Sequence, residues 1–155
     1  MNIDPQLVVL VQELGAVMGL DQLALDAEGA CAVRFDGRTV VNLQCHDAPD
    51  SLWLFADLGL VSGGAEVYAD LLRGNLFWRA TLGATISLSG DEPAHVIITL
   101  PVAWRGLNGE QLALRLETFV NTIDDWAELL QAGRTAELPV ESAAVSMEML
   151  LRSRA

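Results

Sequence analysis

Residues 29–45 read GACAVRFDGRTVVNLQC, and the fold turns on this stretch. Cys31, Val33 and Phe35 alternate with small or polar neighbours, the two-residue period of a strand with one face in a core. Asp36-Gly37 follows, a pair that tolerates the positive φ angles of a tight hairpin turn. Val41, Leu43 and Cys45 resume the alternation, so two antiparallel strands are expected. Past a loop around Ala48-Pro49-Asp50, Leu52 to Leu58 reads as a third strand. Trp53 and Phe55 face opposite to Leu52, Leu54 and Ala56, and with both faces apolar this strand is expected to be covered on both sides.

On the N-terminal side the period becomes helical. Leu7, Leu10, Val11, Leu14, Val17 and Met18 recur as one face of a helix, with Asp4 and Pro5 suited to its cap and first turn. On the C-terminal side Gly63-Gly64 ends the strand region, and Val67, Leu71, Leu72 and Leu76 predict a second helix of about fourteen residues. Ala84, Ile86 and Leu88 then form one face of a fourth strand, and Ser89-Gly90-Asp91-Glu92-Pro93 a turn. Val96, Ile98 and Leu100 form the matching face of a fifth strand, which Pro101 is expected to close. From Asn108, Leu112, Leu116, Phe119, Ile123, Trp126 and Leu130 make one stripe of a third helix, leaving Glu117, Asp124 and Glu128 for solvent.

The order is α-β-β-β-α-β-β-α, an α+β protomer with a twisted, mainly antiparallel sheet. Residues 1–133 are expected to form this one domain. Residues 134–155 are expected to be a tail, either disordered or holding a short helix lined by Val145, Met149 and Leu150, with Pro139 before it.

A chain of 155 residues is long enough for one well-formed core. Yet 52% of its residues are hydrophobic and its mean hydropathy is +0.34, with no run near the roughly 20 apolar residues that span a bilayer. Membrane insertion is therefore not expected, and the surplus apolar surface points to an interface. Trp53, Phe55, Phe77, Trp78 and Trp104 are too many large side chains for the core alone, and Val8, Leu10 and Val11 widen the first helix's apolar face. Formal charge is −12, and all nine basic residues are arginines scattered from Arg34 to Arg154. Nucleic acid is excluded as a natural partner, because phosphate needs a clustered positive surface. The N-terminus has neither the basic start nor the cleavage site of a secretory signal, so a cytoplasmic location is expected.

No residue constellation supports catalysis. His46 and His95 lack the spacing of a metal site, and His46-Asp47 with Asp50 reads as a solvated turn. Cys31 falls inside an alternating strand, where burial raises a thiol's pKa and makes it inert. Ser62-Gly63-Gly64 and Ser89-Gly90 are turns without a nucleophile elbow. The stretch from Gly59 to Gly64 lacks the GK[ST] ending of a phosphate loop. The chain is expected to be neither an enzyme nor a holder of a metal or cofactor.

Several pieces, in order, carry a family likeness: Leu14-Gly15 with Gly19-Leu20; Leu25-Asp26 with Gly29 and Cys31; Leu58-Gly59; Tyr68 with Leu71-Leu72; Asn75-Leu76-Phe77-Trp78 running into Gly83-Ala84-Thr85-Ile86-Ser87-Leu88; and Leu116-Glu117 with Phe119-Val120 and Trp126. Over about residues 5–130, and with a pI of about 4.3, the chain resembles the class I type III secretion chaperones, the Tir-chaperone family. The resemblance implies a bacterial virulence chaperone that needs no nucleotide. It implies a homodimer, with Leu72, Leu76, Phe77, Trp78 and Ile86 at the two-fold interface. It implies, too, binding of the N-terminal segment of a secreted effector, kept soluble and export-competent, with the secretion ATPase as a further partner. Leu7, Leu10, Leu14, Val33 and Phe35 are the candidate effector groove; the competing assignment places all five in the protomer's own core. Trp104 and Arg105 are open between interface rim and local packing. The alternative function is an immunity or adaptor module that recognises a folded partner.

Overall fold

Asp4 starts the first helix, α1 (Pro5–Met18), by accepting the Gln6 N–H at 2.9 Å, and Pro5 sits in the first turn, where a missing donor costs nothing. In the computed structural model, residues 3–46, 50–61 and 63–131 are described. The expected tail from Arg134, including Val145, Met149 and Leu150, lies outside them, as do Asp47 and Ser62.

The hairpin forms as its sequence predicts. Strands β1 (Ala30–Phe35) and β2 (Thr39–Cys45) are antiparallel, with Asp36 and Gly37 at φ 47° and 69° and the Arg38 N–H donating to the Phe35 carbonyl at 3.0 Å. Strand β3 (Ser51–Leu60) pairs with β2. After helix α2 (Ala65–Gly74) come β4 (Thr85–Leu88) and β5 (His95–Ala103), and the chain closes on α3 (Gly109–Gln131). All pairings are antiparallel and the sheet order is β1-β2-β3-β5-β4.

One face of this sheet builds the core. Val41, Leu43, Leu52, Leu54, Val96 and Ile98 lie fully buried with Leu112, Leu116, Phe119, Ile123 and Trp126 of α3 and with Leu7, Leu10, Val11 and Leu14 of α1. Among the described residues the other face carries no comparable layer, so they do not supply the cover expected on the second side of β3. Helix α3 rests on β2 and β3, α2 on β4, and α1 beside α3, leaving Trp53 exposed and Phe55 half-buried. The His46 ring stacks on Trp53, centroids 4.1 Å apart and planes within 6°.

Three local expectations are corrected as well. Helix α2 is ten residues long, and a single 3-10 turn, Leu76–Trp78, replaces its expected continuation. Strand β5 does not stop at Pro101 but pairs there with Trp53 and runs on to Ala103. Pro101 is tolerated because odd-numbered β5 residues aim their backbone groups at β4, whose register ends at Thr85 opposite Thr99, so no neighbouring carbonyl loses a donor. Asp124 is not turned to open solvent; it accepts the Thr39 hydroxyl at 2.7 Å and fastens α3 to the start of β2.

Candidate functional site

The first candidate surface lies where α2 breaks. Gly74 is obligatory in kind, since a Cβ there would stand 2.4 Å from the Trp126 ring. The Trp126 indole N–H is itself held by the Ala80 carbonyl at 3.0 Å. Asn75 follows and turns its side chain to the outer edge of β4, accepting the Ile86 N–H at 2.8 Å and donating to the Ile86 carbonyl at 2.9 Å. One residue pair earlier, the Thr81 hydroxyl donates to the Ala84 carbonyl and the Ala84 N–H to the Thr81 carbonyl. The outward backbone groups of Ala84 and Ile86 are thus all bonded.

Between these anchors Phe77, Trp78 and Leu82 sit at φ 54°, 52° and 50°, a region that bulky side chains resist. Apolar side chains stand outward on both sides of this break: on α2 Leu72 is 72% exposed and Tyr68 also exposed, and past it Phe77 is 48% and Trp78 53% exposed, with Leu76 and Leu82 also exposed. Ile86, expected among them, is instead buried at 5% and supports the strand from within. The Trp78 indole donates to the Thr85 hydroxyl at 3.0 Å, fixing the ring over the β4 edge. A contiguous exposed apolar patch of this kind is characteristic of a protein contact.

The second surface lies between α1, the hairpin and α3. Leu7, Leu10, Leu14 and Val33 are only 0–3% exposed and pack within the protomer's core. Phe35 is half-buried and lines a groove of about 510 Å³ with Val17, Met18, Ala113, Leu114 and Val120, rimmed by Asp36, Glu110 and Glu117. No arginine or histidine lines it. Leu114 and Val17 escaped the sequence reading for opposite reasons. The spacing of α1 places Val17 on the apolar stripe, but the helix turns it outward by its last turn, and Leu114 stands on α3's polar side between Leu112 and Leu116. An apolar residue out of phase between Glu110 and Glu117 is the signal that marks it.

The sheet's β1 edge is the third feature. The Cys45 N–H donates to the Gly29 carbonyl at 2.8 Å, and the antiparallel alternation then aims the backbone groups of Ala30, Ala32 and Arg34 outward. Asp26 closes Ala30 with its backbone and its carboxylate; among the described residues nothing closes Ala32 or Arg34.

The groups with chemical potential are occupied structurally. Burial pushes the Cys31 thiol up to about 11, and the Cys45 thiol is raised by the same cause, so neither is a nucleophile near neutral pH. His95 pairs with Asp57 at 2.7 Å on the surface. Trp104 is buried, which settles it as packing; Arg105 lies 4.7 Å over its ring and binds Asp4, Gln6 and Asp50, tying α1 to β3 and β5. No cluster of metal-ligating residues exists among the described residues, and among them no helix is long and apolar enough to cross a membrane.

A family model, the Tir chaperone protein (CesT) family, matches residues 9–127. The chain belongs to this family. Solved structures agree in fold. The type III secretion chaperone SycH of Yersinia pestis, in complex with a stable fragment of YscM2, is 28% identical with a TM-score of 0.62, covering 79% of this chain and 98% of that one. A chain of the ExsC-ExsE complex is 22% identical with a TM-score of 0.69, over 84% and 97%. A chain of the HopA1-SchA chaperone-effector complex is 18% identical with a TM-score of 0.66, over 82% and 99%. No curated sequence matches the chain. The Tir chaperone assignment covers both apolar surfaces, since residues 9–127 run from α1 through the α2 break to α3.

Proposed function

We propose that this Tir-family chaperone is a cytoplasmic homodimer that holds the N-terminal segment of a secreted effector in an extended, export-competent form, by binding alone and without a cofactor. One observation carries the reading: the protomer's core is complete without Leu72, Phe77, Trp78, Val17 and Leu114, which remain on the surface. Apolar surface beyond a finished core serves contacts with other chains. The patch at Leu72, Leu76, Phe77 and Trp78 is the proposed two-fold contact, with Ile86 packed behind it. The client is proposed to use the Phe35 groove, whose floor Leu7, Leu10, Leu14 and Val33 support from the core, and the open β1 edge. Main-chain bonding at an edge gives affinity for an extended segment irrespective of its sequence, while a groove selects side chains. That relatives of this fold are found in complexes with effectors and protein fragments supports the client. Transfer to the secretion ATPase is the proposed step after loading.

The test is capture of the tagged chain from its native cytoplasm, with the bound segment mapped by limited proteolysis. A larger secreted protein protected only along an extended N-terminal segment is expected. A folded enzyme or toxin, held through its globular surface and not bound once unfolded, would establish the immunity or adaptor module instead.

A further inference from the structure

The acid-rimmed groove beside Phe35 has a candidate occupant within the same chain. All twelve net negative charges fall on residues 1–131, because residues 132–155 hold three arginines and three glutamates. The run from Val145 reads VSMEMLLRSR to Arg154, two arginines against the single carboxylate of Glu148, and it is the only place in the sequence where two arginines stand two residues apart. Apolar side chains followed by two cations complement an apolar floor whose rim holds Asp36, Glu110 and Glu117 and no basic residue. We propose that residues 145–154 seat in this groove, Val145, Met149 and Leu150 on the floor and Arg152 and Arg154 on the acidic rim.

The reach is sufficient. Helix α3 ends at Gln131, and the groove is lined by its residues between Glu110 and Asn121, which at 1.5 Å per residue lie about 15 to 32 Å back along the axis. Residues 132–144, extended at about 3.3 Å each, span up to about 43 Å. A groove of about 510 Å³ matches a handful of side chains rather than a folded surface. Exposed ion pairs and a few apolar contacts make a weak complex between separate molecules. Tethering changes the balance, because a short linker presents its segment at an effective concentration on the order of millimolar. The tail then covers Leu114 and Val17 in the unloaded chaperone, and a client must displace it. That consequence for loading rests on the proposed function; the docking itself does not.

The experiment uses the full chain and a synthetic peptide of residues 143–155 as probe, followed by fluorescence anisotropy at low salt. A tail variant carrying Leu150→Asp, Arg152→Glu and Arg154→Glu vacates the groove. It is expected to bind the peptide at least about tenfold more tightly than the native chain, whose own tail competes. Adding Glu110→Lys and Glu117→Lys, both at exposed positions, is expected to weaken peptide binding to that variant by about tenfold. Hydrogen exchange over residues 110–121 is expected to be slower in the native chain than in the tail variant. Peptide binding to neither chain, or to both equally, overturns the docking. A client segment bound in the groove of both chains with equal affinity also overturns it, while leaving the chaperone reading intact. Failure to recover any extended client, with the peptide still bound, strikes the chaperone reading alone.

Discussion

The α1–α3 side of the molecule and the α2–β4 side are built from similar residues put to opposite use. On the first, leucines at helical spacing close over one another until Leu14, Leu112 and Leu116 are shut from water. On the second, Leu72, Leu76, Phe77 and Trp78 are turned outward. The difference lies in the backbone. Helix α1 runs fourteen residues between well-formed caps, whereas α2 stops after ten at Gly74, against the Trp126 ring, and continues through residues at positive φ. Leu72 faces outward by its phase in α2, beside the buried Leu71; past the break the positive-φ backbone decides which way Phe77 and Trp78 face.

Substitutions separate the two sides most clearly in stability. Leu14→Ala, in the closed side, is expected to cost about 3 to 5 kcal/mol by urea denaturation, since a fully enclosed leucine leaves a cavity that the helices cannot fill. Gly74→Ala, at the hinge between the sides, is expected to cost about 1 to 3 kcal/mol, because a methyl must share space with Trp126. If that variant is as stable as the native chain, the close approach of α2 to α3 is not a constraint. Phe77→Asp is expected to change protomer stability by less than about 0.5 kcal/mol while abolishing the proposed dimer in sedimentation. A dimer that survives this change would place the two-fold contact elsewhere. The smallest effect is chemical: with its thiol held near 11 against an ordinary 9.0, folded Cys31 is expected to alkylate at pH 8 about a hundredfold more slowly than in urea. The sign for stability follows. The unfolded chain loses this proton first, so folding stability contributed by the neutral thiol is full below pH 9 and falls as pH rises toward 11.

What the residues disclosed, and what they withheld, follows the same division. The hairpin, the N-cap at Asp4 and the buried stripe of α3 were legible because each depends on neighbours within a few residues. The partly open outer face of β3 among the described residues is not, since an apolar residue such as Trp53 looks alike whether a helix, a partner or a histidine ring covers it. The Phe35 groove was half legible: Phe35 was marked, but its companions Val17 and Leu114 come from two helices that meet only in the folded chain. The continuation of β5 through Pro101 depends on where another strand ends, which no local pattern records.

Asn75 closes the Ile86 stretch of the β4 border, while among the described residues nothing closes Ala32 and Arg34 on the β1 border. A sheet so arranged accepts a further strand more readily beside β1 than beside Ile86. Molecules that handle unfolded chains risk becoming templates for endless stacking, each added strand offering a fresh border to the next. Here the bonds to Ile86 remove a donor and an acceptor from one of the two borders that such stacking needs. The amide of a single asparagine thereby biases strand addition toward the opposite border.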